Sequence, residues 1–242
     1  MTKNAKIFGF AGLGGTALLL IGIIAAMVSF ERGVYSPASC FVTELGQYTE
    51  GYLSVSSALY FNIGLVVFGF AFGLLMIVRG GRGETTLSAA IGFTGALTGI
   101  LAAAQGIFTL NYPQYHYIVV TAFYLSAFVF CVLQIVDALR GGEKQRFGTA
   151  SLIVAFAAGA LCLASGTFML MGGMARVFFE DVQGAGRLLV VPFALIGWFA
   201  VAAAWAQGIL LSLDTALVPV RAVAEKAPPR GKKDTRNNDF AL

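Results

Sequence analysis

Six apolar stretches, each about long enough to cross a lipid bilayer, limit the fold of this 242-residue chain more than any other feature. A transmembrane helix needs roughly 20 apolar residues, because each residue rises about 1.5 Å and the hydrocarbon layer is about 30 Å thick. The composition agrees, since 58% of the residues are hydrophobic and 12% are charged, whereas about a quarter are charged in soluble domains. The sequence therefore predicts an all-α, polytopic membrane bundle with six transmembrane helices at residues 7–30, 57–78, 87–110, 117–139, 148–172 and 188–213.

The basic residues fall almost entirely into alternate connections, and this pattern predicts the orientation of the bundle. With the N-terminus inside, the cytoplasmic segments hold thirteen of the sixteen Lys and Arg residues, and the outer segments hold Arg32, Arg176 and Arg187. Lys and Arg accumulate in the cytoplasmic loops of membrane proteins. Both termini are therefore expected in the cytoplasm, and we assign the net charge of +4 to this pattern rather than to nucleic-acid binding.

The chain is expected to contain one membrane domain, residues 1–218, followed by a basic cytoplasmic tail at residues 219–242. The tail is polar, contains prolines and has little apolar surface to bury, so we expect it to be disordered. No disulfide is predicted, because Cys131 and Cys162 lie inside predicted helices and Cys40 lies alone in the first outer connection. A short helix or a re-entrant turn is expected in that connection.

Glycine is unusually frequent for a membrane chain, with thirty residues. Gly69 and Gly73 in the second predicted helix, and Gly95 and Gly99 in the third, form small-xxx-small faces of the kind that allow close helix approach. This pattern predicts a tight bundle without a wide aqueous channel. The same faces could instead dock a second copy of the chain or another membrane protein, so a homo-oligomer and a membrane-protein partner both stay open.

Polar residues near the predicted helices collect at the outer side of the membrane. Such side chains are costly in lipid unless they bond to one another, so they are expected to converge. The candidate ligand-binding residues are Glu44, Asn62, Gln105, His116 and Arg187. One interpretation is a structural clamp, in which a Glu44–Arg187 ion pair and a hydrogen bond from Asn62 hold the first outer loop on the bundle. The other is a polar pocket that receives a ligand.

Several chemistries are not supported by the sequence. A single histidine excludes a haem with two histidine ligands on this chain, and no serine-hydrolase, zinc-protease or phosphate-loop motif is present. No cofactor and no metal are therefore predicted. Gln134 and Asp137 lie one turn apart near the cytoplasmic end of the fourth predicted helix, but we interpret Asp137 as a solvated carboxylate at the membrane interface.

The chain resembles the domain-of-unknown-function 998 family over roughly residues 7–213. That family contains six-helix membrane proteins, mostly from prokaryotes, and is similar to the eukaryotic DRAM and Sfk membrane proteins. The residues that carry the resemblance are the segments 41–46 (FVTELG), 58–65 (ALYFNIGL), 106–108 (GIF) and 184–188 (GAGRL), together with His116 and Trp198.

The resemblance implies that Glu44, Asn62, His116 and Arg187 are characteristic polar positions of the family. One departure is that members often have Glu-Arg at the start of the last helix, whereas this chain has Gly186-Arg187. The related eukaryotic proteins are associated with membrane-lipid organisation. The resemblance therefore implies a lipid headgroup as the ligand, membrane lipids as partners and the cytoplasmic membrane of a prokaryote as the location.

Taken together, the sequence and the resemblance predict an integral membrane protein without an assigned reaction. Its outer polar cluster binds or organises a lipid headgroup, or serves only to hold the fold. An enzymatic alternative is a membrane-embedded lipid hydrolase or transferase in which His116 is the general base and Glu44 orients it. This alternative lacks an identifiable nucleophile or metal. A third possibility is an accessory subunit of a larger membrane complex.

Overall fold

The computed structural model describes residues 3–30, 35–48, 56–83, 85–140, 148–172 and 191–217. Within these residues the chain forms six long α-helices, one short 3₁₀ helix and no strand. The α-helices are α1 (Lys3–Val28), α2 (Ser56–Gly80), α3 (Thr86–Ile107), α4 (Pro113–Leu139), α5 (Gly148–Leu170) and α6 (Pro192–Leu217). All six are long and apolar enough to cross a membrane. The predicted six-helix membrane fold is therefore confirmed, and the chain is an integral membrane protein.

Observed helix boundaries differ from the predicted ones by up to four residues: α1 begins at Lys3 instead of residue 7, and two other helices begin at a proline. Helix α4 starts at Pro113 instead of residue 117, and α6 starts at Pro192 instead of residue 188. Proline suits the first position of a helix, because its fixed φ is helical and its missing N–H needs no partner there. Helix α6 also continues to Leu217 instead of residue 213, because the acid at Asp214 is neutralised inside the bundle.

The helices form a closed ring in chain order. Each helix packs on the next one, and α1 closes the ring against α6. The start of α1 lies on the end of α6, since the Cα of Gly9 directly faces the backbone of Ala216. We call this end, where α1 begins and α6 ends, the terminal end. The opposite end is the loop end, because the connection between α1 and α2 covers it.

Large apolar side chains fill the centre of the ring. Phe72, Leu75 and Met76 of α2 pack against Phe130 of α4 and Leu211 of α6. Leu75 and Met76 are completely buried. Close packing of this kind leaves no room for a column of water between the helices at this level. The prediction of a bundle without a wide channel is consistent with this filled core.

Both glycine motifs are used inside the bundle, where α2 and α3 cross. Gly69 lies against the backbone of Gly99, and Gly99 lies against Gly73. Gly95 accommodates the side chain of Met76. Such close backbone approach is the ordinary use of small residues in membrane helices. An oligomer or a membrane-protein partner stays a prediction, and its contact surface would have to lie elsewhere than these four glycines.

The loop end is covered by the 3₁₀ helix Val42–Gly46, which we call the loop helix. It confirms the short helix predicted in the first outer connection. All five of its residues are buried. Leu45 packs with Leu19 and Phe61 in a second apolar cluster. The loop helix is therefore part of the core of the bundle.

Candidate functional site

Glu44 is buried at the loop end and stabilises the start of its own helix. The Phe41 N–H donates a 2.8 Å hydrogen bond to Oε1 of Glu44. A carboxylate in this position satisfies a backbone donor that the first turn of a helix leaves without a partner. Glu44 is only 2% exposed, so its carboxylate makes this hydrogen bond away from water. One role of this acid is thus to hold the loop helix in shape.

Asn62 fastens the loop helix to α2. Its Nδ2 donates to the Gly46 carbonyl at 3.0 Å and to the Tyr48 hydroxyl at 3.3 Å. The predicted hydrogen bond from Asn62 to the connection between α1 and α2 is therefore confirmed. Because the Gly46 carbonyl can only accept, the amide must turn its nitrogen toward it. The buried Oδ1 of Asn62 has no hydrogen-bond partner among the described residues.

A second fastening, between the loop and the α3–α4 connection, was not predicted from the sequence. The Tyr48 N–H donates to Asn111 Oδ1 at 2.7 Å, and Asn111 Nδ2 donates to the Tyr48 carbonyl at 2.9 Å. Trp198 of α6 adds a further bond, from its Nε1 to the Cys40 carbonyl at 3.1 Å. The loop is thus held by side chains from several parts of the ring.

His116 lies in the first turns of α4 and is 2% exposed. Its Nδ1 is 2.6 Å from the Phe108 carbonyl oxygen. Since a carbonyl only accepts, Nδ1 carries the proton in the neutral ring, and Nε2 is left as an acceptor. That buried Nε2 has no hydrogen-bond partner among the described residues. The group that orients His116 is the Phe108 carbonyl, which corrects the idea that Glu44 does so.

Of the two remaining predicted site residues, only one lies within the described part of the chain. Gln105 is buried near the end of α3. The next residue, Gly106, lies directly against the backbone of Asn62, so Gln105 belongs to the same end of the bundle. Arg187 lies outside the described residues, and its ion pair with Glu44 stays a prediction.

The predicted residues thus meet at one end without forming a single hydrogen-bonded group. Glu44 and Asn62 act on the same five-residue loop helix. His116 bonds to Phe108, and no hydrogen bond within the described residues joins it to Glu44 or Asn62. The buried polar atoms at this end that lack a partner among the described residues include Thr43 Oγ1, Asn62 Oδ1 and His116 Nε2.

A polar cluster at the terminal end was missed by the sequence analysis. Arg79 Nη1 lies 3.3 Å from Asp214 Oδ2 and 2.9 Å from Thr215 Oγ1. Both charged side chains are largely buried, at 12% and 7% exposure. The charge pattern assigns Arg79 to a cytoplasmic connection, and the sixth predicted helix ends one residue before Asp214. Their separation in sequence gave no signal of the pair.

Two buried amide side chains lie farther inside the bundle than this ion pair, on the side of the terminal end. Gln207 Nε2 donates to Gln134 Oε1 and, at 2.9 Å, to Ser151 Oγ. These contacts join α6 to α4 and α5. Nε2 of Gln134 and Oε1 of Gln207 have no partner among the described residues. Asp137, one turn beyond Gln134, is partly exposed, which agrees with its interpretation as an interfacial carboxylate.

The described residues contain no group of three or more His, Cys, Asp or Glu side chains that could hold a metal ion. Within the same residues none of the three cysteines forms a disulfide, as predicted. The fold and its two polar ends define an integral membrane protein with an all-helical ring. Comparison of the chain with protein-family models, curated proteins and solved structures gives no match.

Proposed function

We propose that the loop end of this membrane protein binds the headgroup of a membrane lipid that offers hydrogen-bond donors. The observation that carries the proposal is the pair of unpartnered buried acceptors at this end, Asn62 Oδ1 and His116 Nε2. A buried polar atom without a partner costs roughly 1–3 kcal/mol. A donor supplied from the bilayer would remove that cost at both atoms.

Both unpartnered atoms are hydrogen-bond acceptors, and this narrows the class of headgroup that could bind them. Asn62 uses its amide nitrogen for Gly46 and Tyr48, and His116 uses Nδ1 for Phe108. What remains on both side chains accepts hydrogen bonds. Phosphate oxygens only accept, so they do not match these atoms. An ammonium group with N–H bonds or a hydroxyl group does match them.

The clamp and the pocket interpretations are compatible in this arrangement. Oε1 of Glu44 and Nδ2 of Asn62 hold the loop helix, whereas Asn62 Oδ1 and His116 Nε2 remain for a ligand. The resemblance to the 998 family and its lipid-related eukaryotic relatives supports a lipid over a soluble ligand. The cytoplasmic membrane of a prokaryote, as the place where the protein works, is part of this proposal.

Two lipids with the same phosphate provide the sharpest test. Phosphatidylethanolamine carries N–H donors, whereas phosphatidylcholine carries a trimethylated nitrogen with none. We expect the intact protein, released from bilayer discs of equal composition, to retain phosphatidylethanolamine about fivefold more than phosphatidylcholine, as one hydrogen bond of about 1 kcal/mol predicts. Native mass spectrometry of the retained lipids gives the ratio. The His116→Leu variant should lose the preference.

A matched control separates lipid binding from general loss of stability. Trp205→Phe removes a partly buried hydrogen bond to the Thr16 carbonyl, away from the loop end, and should keep the lipid preference of the parent protein. Equal retention of the two lipids by the parent would contradict the proposal. So would an unchanged preference in a folded His116→Leu variant.

The orientation in the membrane is a separate prediction. Because Lys and Arg alternate so strongly between connections, reporters placed at Gly142 and after Leu242 should report the cytoplasm. A reporter at Gln47, beside the loop helix, should report the outside. Paired fusions to alkaline phosphatase and to green fluorescent protein distinguish an outside from a cytoplasmic location at each position. A cytoplasmic signal at Gln47 would place the candidate site on the other leaflet.

A further inference from the structure

A small polar crevice opens at the terminal end between α2, α3, α4 and α6. It offers about 30 Å³ of space to water-sized molecules. The partly exposed side chains of Arg79, Ser88 and Asp137 line it, together with the buried side chains of Gln134 and Leu211. It therefore leads from the surface of the bundle to its interior.

The crevice reaches a buried donor that has no partner among the described residues. Gln134 is 9% exposed and uses Oε1 to accept from Gln207, which leaves its Nε2 unpartnered. The carboxylate of Asp137, another wall of the crevice, can only accept when ionised. A molecule that accepts from Gln134 and donates to Asp137 would therefore satisfy both polar walls of this space.

We propose that this crevice is a binding site for a small cluster of water molecules. Water both donates and accepts, and one molecule needs roughly 10–15 Å³ of such space, so about two molecules fit. A lipid headgroup or an organic substrate is too large for it. A bare cation does not match the unpartnered atom in the wall, because Nε2 of Gln134 is a hydrogen-bond donor.

The water would connect the aqueous phase at the terminal end to the amide network of the interior. Gln207 lies ten residues before Leu217, which is about 15 Å along the helix and about half the thickness of the hydrocarbon layer. Ser151, Gln134 and Gln207 are bonded in one group at this depth. Hydration of Gln134 thus lets a polar group persist inside a lipid-facing bundle.

Hydroxyl-radical footprinting of the intact protein in bilayer discs tests the site, because radicals label side chains that touch bound water. Leu211 lines the crevice and is 1% exposed, whereas Leu75 is completely buried in the neighbouring core. Water in the crevice should label Leu211 well above background and leave Leu75 at background. Equal background labelling of both residues would show a dry crevice and overturn the proposal.

A variant tests the part played by the Gln134 amide. In Gln134→Leu, an apolar side chain of similar size replaces the donor, and labelling of Leu211 should fall to the level of Leu75. Unchanged labelling in the folded variant would contradict the role of Gln134 in holding water. If Gln134→Leu does not fold, the comparison of Leu211 with Leu75 in the parent protein decides.

Discussion

Replacing Asp214 with Ala should destabilise the protein by about 3 kcal/mol or more, because the change removes a carboxylate from beside the largely buried guanidinium of Arg79. The guanidinium lies 3.3 Å from the carboxylate, and both side chains are mostly removed from solvent. Thr215 still accepts from Arg79 at 2.9 Å, but a hydroxyl does not neutralise the charge. Unfolding in mixed detergent, followed by circular dichroism, measures the loss.

Two further variants separate the ion pair from a general effect of removing a polar group. Arg79→Leu combined with Asp214→Leu should recover part of the stability, since neither variant residue strands a charge. Arg140→Ala removes an exposed cation just beyond α4, and its effect should stay within about 0.5 kcal/mol. If Asp214→Ala unfolds at the same point as Arg140→Ala, the pair contributes little to stability.

Asp214 also shows why one boundary could not be predicted. In a hydropathy profile, an acid near the end of an apolar run indicates that the chain leaves the membrane there. The sixth helix is therefore predicted to end at residue 213. The structure continues α6 to Leu217 because Arg79, 135 residues earlier in the chain, neutralises the acid. The number and approximate positions of the helices follow from local hydropathy, whereas this boundary depends on a distant partner.

The candidate site was predictable to a similar extent. Local sequence placed Glu44, Asn62, Gln105 and His116 at one side of the membrane, and the structure collects them at the loop end. Their partners are mostly backbone carbonyls and N–H groups, which have no signature in sequence. The partner of His116 is the Phe108 carbonyl, so the side-chain types alone suggested the wrong orienting group.

The buried amide network near the terminal end was even harder to predict from the sequence. Gln134, Ser151 and Gln207 belong to three different helices, and single polar residues in apolar helices do not reveal which neighbours they meet. Chain order alone does not show that the helices close into a ring. Once α6 lies beside α1 and α5, the two glutamines and the serine face one another.

Replacing Gly99 with Leu should destabilise the bundle by about 3 kcal/mol or more, the upper range for overpacking a close-packed core. A Cβ at this position would lie 2.6 Å from the Gly69 carbonyl oxygen and 2.6 Å from the Gly73 nitrogen. Both neighbours are backbone atoms, so no side chain can rotate away. Helices α2 and α3 would have to separate, and the melting temperature in detergent measures the cost.

Gly14→Leu is the matched control for this prediction, because both changes add the same side chain to a helical glycine. Nothing lies within 4 Å of a Cβ built on Gly14, which is exposed on the face of α1 that points away from the bundle. Leucine also favours a helix by up to about 1 kcal/mol over glycine. Gly14→Leu should therefore melt at or slightly above the parent temperature. Similar melting of the two variants would mean that α2 and α3 do not approach as closely as Gly69, Gly73 and Gly99 require.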